Sequence, residues 1–147
     1  MRELPPLAGR GLSYDALLIN CDGGSRGNPG PAAYGVTIMT PDGVEIEGIG
    51  ETIGVATNNV AEYSAVVRGL ERCAELGARA VHVRSDSQLL IEQLKGNYKV
   101  KSANLRPLHA EALRLARALE RVTYEHVRRE QNVRADELVN LALDGLL

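Results

Sequence analysis

Large aromatic rings are nearly absent from this chain of 147 residues, which has no Trp, no Phe and five Tyr. Its core must rest on Leu, Val, Ile and Ala, which weakens the case for a binding mode built on aromatic platforms for single-stranded bases. Cysteine is scarce as well. Cys21 and Cys73 have neither a C-x-x-C spacing nor a neighbouring His, so they spell out no zinc site. Both lie in apolar contexts and are expected to be small, reduced core residues. No apolar run approaches the ~18 residues that a membrane span requires. The first dozen residues are rich in Pro and Gly and lack the hydrophobic stretch of a signal peptide. They are expected to form a flexible arm over residues 1–12, ahead of one domain over 13–147, in a soluble, cytoplasmic protein.

What is present suits one globular domain. The chain is 44% apolar and 24% charged, with 15 Gly and 6 Pro, and no repeat or low-complexity tract interrupts it. A domain of this size buries roughly 70% of the surface its unfolded chain exposes, so no covalent staple is needed. The net charge of −2 argues against a polybasic nucleic-acid coat. Charge is nonetheless uneven: residues 91–134 hold ten basic and five acidic side chains, a net of +5, which leaves −7 for the remainder. An acidic centre beside a basic surface has that signature, and so do unevenly solvated helix faces.

Hydrophobic periodicity divides the chain. Residues 16–22 are a short apolar run closed by Gly23-Gly24, as in a strand buried on both faces. Residues 33–40 and 44–52 are extended stretches joined by Pro41-Asp42-Gly43, which is hairpin-turn chemistry. Glu45, Glu47 and Glu51 among Ile46 and Ile49 suit an outer strand with one wet face. The period then becomes helical. Asn59 is placed to cap a helix closed by Gly77, in which Glu62, Val66, Gly69, Cys73 and Leu76 share one stripe. Residues 80–85 form a strand, and Asp86 and Ser87 open a short helix to about 94. A loop over 96–103 precedes a long helix from about 105, whose inner stripe is Leu105, Leu108, Ala112, Leu115 and Leu119. Residues 122–128 form a last strand, and Asn132 caps a last helix. The order βββαβααβα implies an α/β domain with a five-stranded mixed sheet and helices on both faces.

Four acids fall where chemistry collects in such sheets. Asp22 and Asp86 end strands, and ligands gather beyond the carboxyl ends of strands. Glu62 and Asp136 lie in the first turns of helices. Each has a bland reading: Asp22 as a turn residue, Asp86 as a helix cap, Glu62 as part of an Asn59-x-x-Glu62 capping box, and Asp136 as a partner of the helix dipole. Together they point elsewhere. If the strands bearing Asp22 and Asp86 are parallel neighbours, carboxylates crowd one sheet edge, and like charges there require protons or a cation. All-oxygen donors suit Mg²⁺ or Mn²⁺. Two such ions ~3.5–4 Å apart can activate water and stabilise the leaving oxygen of a phosphodiester. The glycine-rich loop is neither a P-loop, since no Lys-Ser or Lys-Thr follows its last glycine, nor a dinucleotide fingerprint.

Cys21-Asp-Gly-Gly-Ser-Arg-Gly-Asn-Pro-Gly-Pro31, Thr57-Asn-Asn-Val-Ala-Glu62, Ser85-Asp-Ser-Gln88 and Asn132-Val-Arg-Ala-Asp-Glu137 resemble, in order, the successive motifs of type 1 ribonuclease H. The likeness runs from about residue 17 to 143. It implies the ribonuclease H-like fold and a catalytic, metal-binding set of Asp22, Glu62, Asp86 and Asp136 holding two Mg²⁺ or Mn²⁺. It also implies hydrolysis of the RNA strand of RNA–DNA hybrids to 5′-phosphate and 3′-hydroxyl ends. Gly23, Gly24, Ser25, Asn28, Asn58 and Gln88 match substrate-contacting positions, and Thr57 and Asn28 match positions near the DNA-phosphate pocket. Amides and Asn or Gln side chains can bond minor-groove 2′-hydroxyls without reading sequence.

The chain departs from the family pattern twice. Many members carry a mobile loop with a His before the last helix. Here residues 128–132 are short and lack one, and by position Glu130 or Arg129 is the candidate to take over part of that loop's role. His82 and His126 are expected to be structural, and His109 exposed. The 96–103 stretch is too short for the basic extension of some relatives, so Lys99, Lys101, Arg106 and Arg26 are expected to contact phosphates. The RNA–DNA hybrid is the expected partner, with the protein a monomer and no protein partner implied. Competing readings are a same-fold nuclease on double-stranded RNA, a junction or a strand end, and a non-catalytic nucleic-acid-binding module. A flavodoxin-like nucleotide binder is disfavoured, since its sheet should be all parallel.

Overall fold

The computed structural model describes residues 14–147. The arm expected over residues 1–12 and the first expected domain residue, Ser13, lie outside the described residues. The chain runs through β1 (Ala16–Ser25), β2 (Gly30–Met39) and β3 (Glu45–Ala56), then α1 (Asn58–Glu75), β4 (Ala80–Ser85) and α2 (Gln88–Leu94). It ends with α3 (Arg106–Arg117), β5 (Arg121–His126), a 3₁₀ turn (Arg129–Gln131) and α4 (Val133–Leu143). Apart from the 3₁₀ turn, this is the order that periodicity implies. The sheet order is β3-β2-β1-β4-β5. β1 pairs antiparallel with β2, and β2 with β3, while β1–β4 and β4–β5 are parallel. The β2–β3 turn forms at Pro41-Asp42-Gly43: the Gly43 amide donates to the Thr40 carbonyl at 2.9 Å, and Gly43 adopts φ +92°. β3 is an edge strand, with Glu45 and Glu51 exposed and Ile46 and Ile49 half-buried.

The main core lies between the sheet and α1 with α3. Ile19, Val36, Val66, Leu70, Cys73 and Val83 are fully buried in it, each worth roughly 1.5–3 kcal/mol for the larger aliphatics. Cys21 and Cys73 are both buried and free, as expected. On the opposite face α4 packs over β2 and β3, with Val139 and Ala142 against Ala33. Among the described residues no helix is long and apolar enough to cross a membrane.

Several local expectations are corrected. β1 does not end at Asp22 but continues to Ser25, because β2 still pairs with it (Gly23↔Tyr34, Ser25↔Ala32) after β4 has stopped at Ser85. Asp22 therefore marks the end of the parallel pairing, not of the strand. Thr57, not Asn59, caps α1, its hydroxyl accepting the Val60 amide at 3.2 Å. The capping-box reading of Glu62 fails with it, and Glu62 sits in the second turn. Ser87, not Asp86, caps α2 by accepting from the Leu90 amide at 3.2 Å. Asn132 occupies the N-cap position of α4 but makes no side-chain cap bond.

Candidate active site

Strand register brings the first two acids together. Cys21 and Ser85 are partners in the parallel β1–β4 pair, so Asp22 and Asp86 leave neighbouring strands at the same level. Two glycines bring in the other two. A Cβ built on Gly23 would lie 2.3 Å from the Ala61 carbonyl carbon and 2.4 Å from the Glu62 nitrogen. Only a residue without a side chain lets α1 approach β1 that closely, and the approach sets Glu62 beside Asp22. Gly35 is the β2 partner of Asp22. A Cβ there would lie 2.3 Å from the Ala135 carbonyl oxygen, so α4 is pressed onto the sheet one residue before Asp136.

Asp22, Glu62, Asp86 and Asp136 all line one cavity of about 370 Å³, together with Gly23, Gly24, Ser25 and Asn58. The crowding has an electrostatic consequence. Burial, then the charges of Asp86 and Asp136, push the Asp22 carboxyl up to about 8; a bond from the Gly23 amide opposes this, and a hydrogen bond with Asp136 adds a smaller push upward. Burial and the charge of Asp86 push Glu62 up to about 7, with the Ser87 hydroxyl opposing. A divalent cation would relieve this repulsion. Among the described residues no three His, Cys, Asp or Glu side chains converge on a ready-made single-ion cage. The donor chemistry still fits Mg²⁺ or Mn²⁺. Mg²⁺ is ordinarily held by one or two carboxylates plus waters and substrate phosphate, not by an all-protein cage.

The other sequence-predicted residues divide. The Ser25 amide donates to Asn58 Oδ1 at 2.7 Å, and the Asn58 amide donates to Asn28 Oδ1 at 3.0 Å, which ties the β1–β2 loop to the start of α1. Asn28 and Thr57 are not among the residues that line the cavity, and serve as a brace and a helix cap. Gln88 is exposed at the first residue of α2. Lys99 and Lys101 line a separate cavity of about 600 Å³ with Asn59, Tyr98 and Leu105. Arg106 donates to the carbonyls of Val100 and Lys101 at 3.3 and 3.2 Å, so its guanidinium braces the lysine loop. Arg26 lines the acid cavity while paired with Asp144 at 2.7 Å.

The sequence matches the protein family described as Reverse transcriptase-like over residues 20–142. It is 44% identical to Ribonuclease HI of Halobacterium salinarum over 123 residues, which is 84% of this chain and 62% of that protein. The crystal structure of RNase H1 from that archaeon superposes with a TM-score of 0.86 at 42% identity, covering 88% of this chain and 98% of the other. The chain belongs to the type 1 ribonuclease H family. It is also 45% identical over 130 residues to the bifunctional protein Rv2228c of Mycobacterium tuberculosis. The match takes in 88% of this chain but 36% of Rv2228c, so the ribonuclease H sequence here spans about a third of that relative's length. LC11-RNase H1, solved in complex with an RNA/DNA hybrid, matches with a TM-score of 0.84 at 41% identity, over 88% of this chain and 97% of that one.

Parts of this ribonuclease H domain differ from expectation. His126 is not a purely structural strand residue: it is exposed at the end of β5 and lines a second cavity, of about 550 Å³, with Glu62 and Asp86. Arg129 lines both cavities, and Arg128 and Glu130 line the second. Asn140 joins the acid cavity without having been singled out; its place one turn after Asp136 was the available signal. His109 is not simply exposed, because its Nε2 lies 3.2 Å from the Gln93 carbonyl and its ring meets Tyr63 edge-on. Its spacing of four from Leu105 was the available signal. His82 is structural as expected, bonded across the strand to Thr123 at 2.6 Å and Glu125 at 2.8 Å.

Proposed function

We propose that this chain is a Mg²⁺- or Mn²⁺-dependent endoribonuclease that cleaves the RNA strand of RNA–DNA hybrids at two bound ions, leaving 5′-phosphate and 3′-hydroxyl ends. The observation that carries this reading is the single cavity shared by Asp22, Glu62, Asp86 and Asp136 in a ribonuclease H fold. A relative at 41% identity was solved with an RNA/DNA hybrid, which supports that substrate class.

Asp22, Glu62, Asp86 and Asp136 would hold the ions. When bound, such a pair supplies an activated water and stabilises the leaving oxygen of a phosphodiester. Gly23, Gly24, Ser25 and Asn58 line the same cavity and are suited to hold ribose 2′-hydroxyls and base edges by shape. Asn28 keeps Asn58 in place, and Gln88 extends the contact along the minor groove. Lys99 and Lys101, in their neighbouring cavity, would meet phosphates farther along the duplex. We read the domain as a monomer, and its buried, unpaired Cys21 and Cys73 suit the reducing cytoplasm.

The test is cleavage of an end-labelled hybrid with Mg²⁺ or Mn²⁺, beside duplex DNA, double-stranded RNA and single strands. Asp22→Asn serves as the control. Hybrid-selective cutting that Asp22→Asn abolishes is expected. Equal activity in that variant would remove the mechanism, and preference for another duplex would replace the substrate.

A further inference from the structure

Asn132 stands in a cap position but spends its side chain elsewhere. It is 1% exposed, and its Nδ2 donates to the Cys21 carbonyl at 2.9 Å, directly before Asp22. Asn20, 7% exposed, answers in the other direction: its Nδ2 donates to the Gln131 carbonyl at 3.3 Å, directly before Asn132. Two adjacent strand residues and two adjacent loop residues thus exchange side-chain-to-backbone bonds across 111 positions of sequence. The backbone of Asn132 completes the linkage. Its amide donates to the Arg129 carbonyl at 2.9 Å, and its carbonyl accepts the amide of Asp136 at 3.1 Å. One residue therefore connects the backbone beside Asp22 to the backbone of Asp136 and to the turn bearing Arg129.

We propose that the Asn20–Asn132 amide clasp is the positioning device that sets Asp136 against Asp22 for divalent-cation binding, a role that rests on the function proposed above. Asp136 is exposed in the first turn of a helix whose N-cap residue makes no side-chain cap bond to fix where the helix begins. The clasp supplies that constraint from the sheet side, complementing the close approach at Gly35. It also needs amides in particular. Each side chain must donate to a backbone carbonyl, which a carboxylate cannot do.

The clasp has polar company. Asn20 Oδ1, Asn132 Oδ1, Thr37 Oγ1 and Arg84 Nε are buried without a hydrogen-bond partner among the described residues. Asn20 is the register partner of both Thr37 and Arg84, so three of the four belong to one row across the sheet. Two acceptors, one donor and one hydroxyl that can do either form a set that bridging water can satisfy. The clasp therefore sits in a polar seam beneath the turn before α4. Its cooperative bonding would make it stiffer than two isolated hydrogen bonds.

The experiment measures Mn²⁺ affinity by calorimetry, kcat and KM on a hybrid, and urea midpoints, for wild type, Asn132→Ala, Asn132→Asp and Asn20→Ala. A control, Ile38→Ala, loses a wholly buried side chain toward the far end of β2. Asn132→Ala and Asn132→Asp are expected to weaken Mn²⁺ binding at least tenfold and lower kcat at least tenfold, with KM changed less than threefold. Asn20→Ala should weaken Mn²⁺ binding about threefold and serves as the readout if Asn132→Ala does not fold. Ile38→Ala, although destabilised, should keep wild-type Mn²⁺ affinity. If the clasp variants bind Mn²⁺ like wild type, or lose affinity no more than Ile38→Ala does, the clasp is merely structural and the proposal fails. If wild type neither binds Mn²⁺ nor cuts the hybrid, the functional reading falls and the clasp's role falls with it.

Discussion

Replacing Glu62 with Gln should stabilise the metal-free protein in alkaline buffer and do almost nothing in mild acid. In the folded chain, burial and the Asp86 charge raise this carboxyl from 4.5 to about 7. The folded state therefore keeps a proton that the unfolded state has already released between pH 4.5 and 7. Where the native state binds more protons, stability falls as pH rises. The contribution is intact below pH 4.5, declines through that window and is fully lost above about 7. At about 1.4 kcal/mol for each tenfold in proton affinity, the ionised side chain costs roughly 3 kcal/mol at pH 8. Gln keeps the shape and removes the charge, but a partly buried amide retains a cost of about 1 kcal/mol. The net gain for Glu62→Gln is then about 2 kcal/mol at pH 8, or a Tm higher by about 6 °C for a chain of this size. Near pH 5 the two effects cancel.

Thermal and urea unfolding in EDTA at pH 5 and pH 8 measure this directly. Adding Mg²⁺ or Mn²⁺ at pH 8 should raise the stability of wild type more than that of the variant, because the cation neutralises the charge Glu62→Gln has already removed. The upward displacement of Asp22 to about 8 acts in the same direction, so metal-free wild type should lose stability steadily from pH 4 to pH 8. A variant no more stable than wild type at pH 8, or one with the same gain at both pH values, would refute the argument.

Gly35→Ala should cost about 2 kcal/mol or more and cut hybrid cleavage at least tenfold, since its Cβ would meet the Ala135 carbonyl and lift Asp136 away; urea melts and initial rates check both. Hybrid affinity should fall steeply with salt, and Lys99→Ala and Lys101→Ala should each flatten the log–log slope by about one unit; a slope flat in wild type would contradict phosphate contacts there. Cys21 and Cys73 should resist thiol reagents in the native state at pH 8, because burial pushes both thiols well above their usual range, and labelling should proceed only at the rate of unfolding. Arg129→Ala should slow turnover, since Arg129 lines both cavities, whereas Glu130→Ala should have the smaller effect; steady-state kinetics separate them.

What was legible from sequence divides along a physical line. Alternation, helical stripes and the Pro41-Asp42-Gly43 turn depend on neighbours in the chain, and they marked the strands and helices to within a few residues. The four acids were legible by type, and the meeting of Asp22 and Asp86 followed once their strands proved parallel partners. Short polar residues were not legible, because each has a local and a distant use of similar energy. Thr57, Asn58 and Asn59 are all acceptable helix caps. Asn58 is committed instead to the Ser25 amide 33 residues away, so the cap falls to Thr57. Asn132 reverses the same ambiguity: it has the ideal cap residue type, yet its amide reaches β1. Gly23 and Gly35 are invisible for a related reason, since a glycine in a strand signals close approach without naming what approaches. The chemistry of the site is thus written in residues that stand out, whereas the distances between its carboxylates are set by two missing side chains and two amides that local reading assigns elsewhere.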